Sequence, residues 1–450
     1  DRYWNARGGS HTDGGAFIFE VRDQGSGKLP TIEVYDKFGE PVPVPVSTSP
    51  YAGHAFLPED GFDLPKVGDD ALFGWIKGEI KDWCYGTLRA FLDALVEAKS
   101  AAGEWGALIE ILTLMMDRRY DTGCMRRSSV LSLVDQAFEK VIDKLAESEA
   151  EGYVFVHVGG SVPAAGSPAE AAVIEARGYE PEGEKSVANE IQRLYEKGFR
   201  WMLVTHARGH RFFGVGLGPE TKGLRIDAYG SPGDYLASGI DGLEIHVHNN
   251  AQDQLAQIMK SGKLVVHGDV GQTFMYGAKG GEAYILGNAA GRPLINAVGK
   301  PRVVINGTCL DYLAESFMAG DPLNGGGFVI LNGITFDESN QIVELETPYP
   351  GGNLFSLASG GAIYVRDPNQ VVTEEQLNGG EFSAFTEADW ALIRPYLEEN
   401  ERLLDVPVSR MLTVEGVEKA PAEVYRKIRP ATVRALQAEE SWVTEDSAAH

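Results

Sequence analysis

The chain has 450 residues, with 40 Lys and Arg against 65 Asp and Glu and a net charge of −25. So acidic a surface repels phosphate backbones and anionic membranes, which sets aside nucleic-acid and membrane-surface roles. Its 43% hydrophobic and 10% aromatic content excludes a disordered chain and can fill the cores of two to four domains of roughly 100–200 residues each.

Taken in order, Gly15–Arg22 and Thr31–Tyr35 read as strands, followed by a Pro-rich stretch at 41–45. From 69 to 151 the period becomes helical. Leu88, Phe91, Leu92, Leu95 and Val96 form one stripe, Trp105 to Met116 a second, and Val130 to Leu145 a third, with Ser128 or Ser129 as the N-cap of the last. Arg118, Arg119, Arg126 and Arg127 concentrate positive charge here and read as a solvated face, with an anion or partner contact as the sharper alternative. Tyr153–Val158 reads as a buried strand running into Gly159-Gly160-Ser161. A phosphate cradle there would need a helix to open at once, and Pro163, Gly166 and Pro168 intervene. Ser186–Glu196 reads as a capped helix stopped by Gly198, and Phe199–His206 and Arg211–Leu217 as two strands, with Gly214 and Gly216 as kinks in the second.

Beyond residue 220 the glycines keep time. Segments beginning at Gly223, Gly242, Gly262, Gly281 and Pro301 start 19, 20, 19 and 20 residues apart, and Gly327 and Gly361 continue the series after insertions. Each unit is a short β-branched strand, a glycine corner and a few small or apolar residues, and it cannot bury its own apolar face. Stacking the units pairs each strand with its neighbour's equivalent and fills a continuous interior column, as in a right-handed parallel β-helix. Glycine serves the corners because φ is positive there or because the next coil passes too close for a Cβ. After Asp367 the repeat stops. Thr386 and Asp389 cap a helix, with Phe385 and Trp390 placed as a hydrophobic staple.

The segments Tyr276–Arg292 and Gly352–Val365, with Leu392–Leu404, Val408–Leu412 and Ala422–Ile428 behind them, resemble the GXGXG β-helix and closing helices at the C-terminal end of the glutamate synthase large subunit. The resemblance spans about 187–430. Together with the elements read above, it divides the chain into three regions: a mixed α/β region at 1–180 containing the helical block at 69–151, a GXGXG right-handed β-helix at 181–370, and C-terminal helices with a tail at 371–450. The fold class is thus an α+β N-terminal region, a parallel β-helix and a small helical segment. In that enzyme the domain is a spacer between the amidotransferase and FMN-bearing domains, and the same β-helix occurs in formylmethanofuran dehydrogenase and in stand-alone subunits of related redox complexes.

The residues that carry chemistry in that enzyme have no counterpart here. Cys84, Cys124 and Cys309 are 40 and 185 residues apart, a spacing that fits neither zinc nor an iron–sulfur cluster, and they read as reduced thiols of a cytoplasmic protein. No apolar run approaches a membrane span, and the start at Asp1 reads as trimmed. His246 and His248 share a strand face, but His267 sits one offset out when residues are counted from each repeat's first position, which points it to the other side and argues against a metal. His206 and His210 read as a solvated loop. No Gly-x-Ser-x-Gly motif or distinctive carboxylate pair is present. The sequence therefore assigns no catalytic, cofactor-binding or metal-ligating residue. The expectation is a non-catalytic scaffold subunit of a glutamate-synthase-like oxidoreductase, with FMN or FAD and iron–sulfur clusters on partner chains. The alternatives are an enzyme with an amidotransferase-like or other site in the N-terminal region, and the β-helix subunit of a formylmethanofuran-dehydrogenase-like complex.

Overall fold

The computed structural model describes residues 17–22, 31–36, 39–42, 64 and 69–431, except 149, 168 and 169. Most of the Pro-rich stretch and the polar tail lie outside the described residues. Strands β1 (Phe17–Arg22) and β2 (Thr31–Asp36) pair antiparallel.

The helical block comprises α1 (Asp69–Glu79), α2 (Tyr85–Ala101), α3 (Trp105–Asp117) and α4 (Arg127–Glu147). The three predicted stripes are its core: Phe91, Leu95, Leu108, Leu112, Val134 and Val141 are buried where the helices meet. Helix α4 starts one residue before the serines expected to cap it. Its N-cap is Arg126, without a side-chain cap, because the chain is already fixed: Arg127 Nη2 donates to the carbonyls of Met116 and Arg118.

One twelve-stranded sheet runs through the rest. Strands β3 (Tyr153–Val156), β4 (Ala171–Glu175), β5 (Trp201–Arg208), β6 (Arg225–Ser231), β7 (Asp241–Val247), β8 (Ser261–Val266), β9 (Glu282–Ile285), β10 (Arg302–Ile305) and β11 (Phe328–Leu331) follow one another in chain order, all parallel. A hairpin, β12 (Ile334–Phe336) with β13 (Ile342–Glu344), is inserted before β14 (Ala362–Arg366), which pairs parallel with β11. Strands β15 (Gly380–Ser383) and β18 (Tyr425–Pro430) close the far end antiparallel, and β16 (Thr413–Val414) pairs with β17 (Val417–Glu418) beside them. All seven strands that the glycine period marks are therefore present and parallel, and no meander of hairpins forms.

Four expectations change. The sheet begins at β3, so the boundary drawn at 180 falls inside it; β3 and β4 lack the glycine period because the connections flanking them are irregular or carry α5 (Val187–Glu196). Strand β3 is the sheet's edge and is mostly half-buried. Residues 422–428 hold a single turn at Pro421–Val424 and then β18 rather than a helix. The supposed strand at 211–217 is a corner, in which Phe212, Gly214 and Gly216 have φ of +65°, +79° and +84°. Alternation of glycine imitates the period of a strand.

That corner is the first of a series. In each following turn three residues at i, i+2 and i+4 are left-handed, such as Gln254, Ala256 and Ile258, or Arg292, Leu294 and Asn296. Glycine occupies few of these positions, although each non-glycine costs about 1–2 kcal/mol there. Hydrogen bonds between turns hold them. The first and third donate to the turn that follows (Gln254 N to Gln272 O, Ile258 N to Tyr276 O) and the middle one to the turn before (Ala256 N to Leu236 O), each at 2.8 Å. Glycine is instead demanded by close approach. A Cβ at Gly287 would fall against Asp269 Oδ1, which accepts the amide of Asn288 at 2.7 Å.

Alternate residues of the strands form columns. Val204, Ala228, Val247, Val266, Ile285, Ile305, Leu331 and Val365 face inward in register, all buried, and fill the interior. The opposite face is covered as well, as a parallel sheet requires. The helical block packs over its first part, with Leu203 and Tyr229 in that core, and α6 (Glu387–Leu404) packs over its last part, against Tyr284, Val304, Ile330 and Tyr364. Thr386 caps α6 by accepting the Asp389 amide, as expected, but Phe385 and Trp390 each pack on Tyr425.

Candidate functional site

Where the helical block meets the middle of the outer face, the columns turn polar. Asp227 of β6 and His246 of β7 lie opposite each other, and one column over come Tyr229, His248 and His267, continuing the register in which Val247 pairs with Val266. His267 therefore shares the face of His248. The expected offset fails because the register shifts between Asp241 and Glu244, which inserts one residue into β7 ahead of the histidines. Ring centroids of His248 and His267 are 5.4 Å apart, and those of Tyr229 and His248 4.3 Å.

Asp117, the last residue of α3, meets this stack from the helical side. Its Oδ2 lies 2.9 Å from His248 Nδ1 and 3.3 Å from His267 Nε2. On the far side His248 Nε2 is 3.2 Å from Asp227 Oδ1. Asp227 is itself gripped: Trp201 Nε1 donates to it at 2.8 Å, and Arg225 Nε and Nη2 at 2.8 and 2.7 Å. His246 Nε2 is 2.6 Å from Glu244 Oε1. Thr113 of α3 and the Tyr229 hydroxyl lie within 2.9 Å, which ties the helix to the sheet beside the cluster.

Burial sets the electrostatics. The side chains of Asp117, Asp227, His248 and His267 are 7%, 2%, 2% and 5% exposed. Burial favours neutral His248, but the carboxylates of Asp117 and Asp227 push it up to about 9. The same contacts hold both carboxyls below their ordinary range against the burial that raises them. His267 falls to about 3, through burial and the neighbouring imidazoles, with Asp117 offsetting only part. One nitrogen of His267, Nδ1, has no hydrogen-bond partner.

Two clefts flank the cluster, and His248, His267 and Tyr229 border both. One, of about 510 Å³, is also lined by Asp117, Arg118 and Arg402. The other, of about 430 Å³, is also lined by Arg119, Arg127 and Asn250. Arg118, Arg119 and Arg127 are therefore not a solvated face, although Arg126 is exposed. Arg118 donates to the carbonyls of Leu403 and Arg402 at the end of α6, Arg127 stands over Tyr120, and Arg119 stands over Phe336. Burial and the charge of Arg127 push Arg119 down to about 10.

Other residues considered from sequence do not converge here. The side chain of His206 is buried, 3.0 Å from Glu139. His210 is buried too, accepting the Arg208 amide at Nδ1, so neither is in a solvated loop. Gly159-Gly160-Ser161 opens no helix. Cys309 is sealed in the interior of the stack, whereas Cys84 and Cys124 lie at the helical block. Sequence reasoning passed over Asp117 and Asp227. For Asp227 a signal existed: an acidic residue in the middle of Leu-Arg-Ile-Asp-Ala-Tyr is out of place in a buried strand unless something pairs with it.

Residues 203–413 match the family model of the GXGXG motif. This segment is a GXGXG domain, of the type that ends the glutamate synthase alpha subunit. The chain is also similar to the uncharacterized protein MJ1350 of Methanocaldococcus jannaschii, 28% identical over 211 residues, which is 46% of this chain and 74% of that protein. The GXGXG domain supplies Asp227, His246, His248 and His267. Asp117 comes from the helical block outside it, so the cluster is completed only where the two regions meet.

Proposed function

We propose that this chain is a structural subunit of a glutamate-synthase-like oxidoreductase, in which a right-handed parallel β-helix spaces partner chains that carry the flavin and iron–sulfur centres. The stack of parallel strands within a GXGXG domain carries this reading. Right-handedness follows from the general rule for crossovers between parallel strands. Two features support the role. With Cys309 sealed in the interior, the three thiols cannot assemble around one iron–sulfur cluster. Ile258 and Leu357, at equivalent corner positions, are 48% and 77% exposed, and Met318 is 50% exposed, apolar side chains on the surface of the stack that a protein neighbour would cover.

Native mass spectrometry and cofactor analysis of the chain purified from its source test the reading. A fixed assembly with a flavin and iron–sulfur polypeptide is expected, and the substrate of that assembly separates a glutamate-synthase-like from a formylmethanofuran-dehydrogenase-like complex. A lone, colourless chain sinks it. A second reading, an enzyme with a site of its own, is favoured by the position of His248 between two carboxylates beside a cleft; ammonia release from glutamine by the isolated chain would support it.

A further inference from the structure

We propose that Asp117, His248 and His267 bind a divalent first-row transition-metal ion of zinc-like character, which joins the helical block to the GXGXG domain. The donor atoms that the three residues offer all lie within 4.8 Å of one another. An ion with metal–nitrogen and metal–oxygen bonds of about 2.0–2.1 Å holds its donors about 3 Å apart. The two separations from Asp117 Oδ2, 2.9 Å to His248 Nδ1 and 3.3 Å to His267 Nε2, already match. Two imidazoles and one carboxylate select zinc, cobalt, nickel or iron over magnesium or calcium, which take oxygen donors.

The surroundings are those of a metal ligand. His248 faces Asp117 with Nδ1 and Asp227 with Nε2. Asp227 thus takes the place of the outer carboxylate that fixes a ligating histidine's tautomer and orientation. Arg225 and Trp201 immobilise Asp227 in turn. Three protein ligands leave at least one coordination position for water or a small ligand, and His248 and His267 border two clefts through which it can arrive. The inference does not depend on the oxidoreductase reading, since a metal can bind here whether or not partner chains exist.

The test uses the full chain, stripped with a chelator and titrated with Co²⁺ and then Zn²⁺. One saturable site per chain is expected, with visible d–d absorption that Zn²⁺ abolishes. His248→Ala, His267→Ala and Asp117→Ala should each weaken binding by 100-fold or more, while His157→Ala, at an exposed position, leaves it unchanged. Circular dichroism checks that each variant is folded. If the alanine variants do not fold, His267→Gln, which keeps a polar group of similar reach, replaces them with the same expected loss. A folded wild-type chain without a one-to-one Co²⁺ site overturns the proposal, as does binding that survives in folded ligand variants. In either case the cluster is a buried ion-pair network alone.

Discussion

Removing one amide tests how the C-terminal helix is fastened to the sheet. Asn306, just past β10, is fully buried and uses its whole hydrogen-bonding capacity. Its Nδ2 donates to Ile285 O and Asn400 Oδ1, both at 2.9 Å, and its Oδ1 accepts from Asn332 Nδ2 at 2.9 Å and Asn400 Nδ2 at 3.0 Å. Tyr425 extends the network by donating to Asn332 Oδ1 at 3.0 Å. Asn306→Ala deprives three buried groups of their partner: both ends of the Asn400 amide and the Asn332 nitrogen. At about 1–3 kcal/mol for each unsatisfied group the gross loss is about 3–9 kcal/mol, and a water entering the vacated volume recovers part of it. We expect a net destabilisation of about 3–5 kcal/mol, measured as a lowered guanidinium midpoint with the slope unchanged. Hydrogen exchange should show α6 amides losing protection first. A loss below about 1 kcal/mol would refute the view that this network, and not the apolar contacts around it, fastens α6.

Gly262→Ala should cost about 2–4 kcal/mol, because φ of +105° and the Leu243 carbonyl both oppose a Cβ; an unchanged melting temperature would contradict this. Ile258→Gly should raise the melting temperature, since a β-branched residue held at φ +51° and half exposed is relieved of about 1–2 kcal/mol of strain. Asp227→Asn should weaken Co²⁺ binding about 10–100-fold by loosening His248, read in the same titration. Asp389 gives a pH dependence. Burial raises its carboxyl, but hydrogen bonds from Lys427, Thr386 and Tyr364 outweigh this and hold it below the usual range. Its stabilisation is therefore complete above the unfolded-state value of about 3.9 and drains away as pH falls through the lower folded-state value. Asp389→Asn should flatten the loss of thermal stability between about pH 5 and 2, and an unaltered acid limb would count against it.

The parallel strands could be read from the sequence because close approach between turns constrains composition at a nearly fixed interval, as at Gly268, Gly287 and Gly307. The helical stripes could be read because burial follows the helical period. The corners could not: Gln254, Thr273 and Arg292 carry no mark of a left-handed backbone, since hydrogen bonds from neighbouring turns impose it. The histidine cluster was hidden for a related reason. Its geometry depends on one extra residue in β7, which shifts the strand's face without disturbing the repeat's overall spacing, and on Asp117, which arrives from 131 residues earlier in the chain. Counting along one strand reaches neither.

The corner amides also govern how the molecule comes apart. Since each corner donates both forward and back, an interior turn is satisfied only while both neighbours are folded, and no single turn can open without orphaning groups in two others. Breathing is thereby confined to the extremities, and a lesion in the middle is felt along the whole column, as in a zip whose teeth are all engaged.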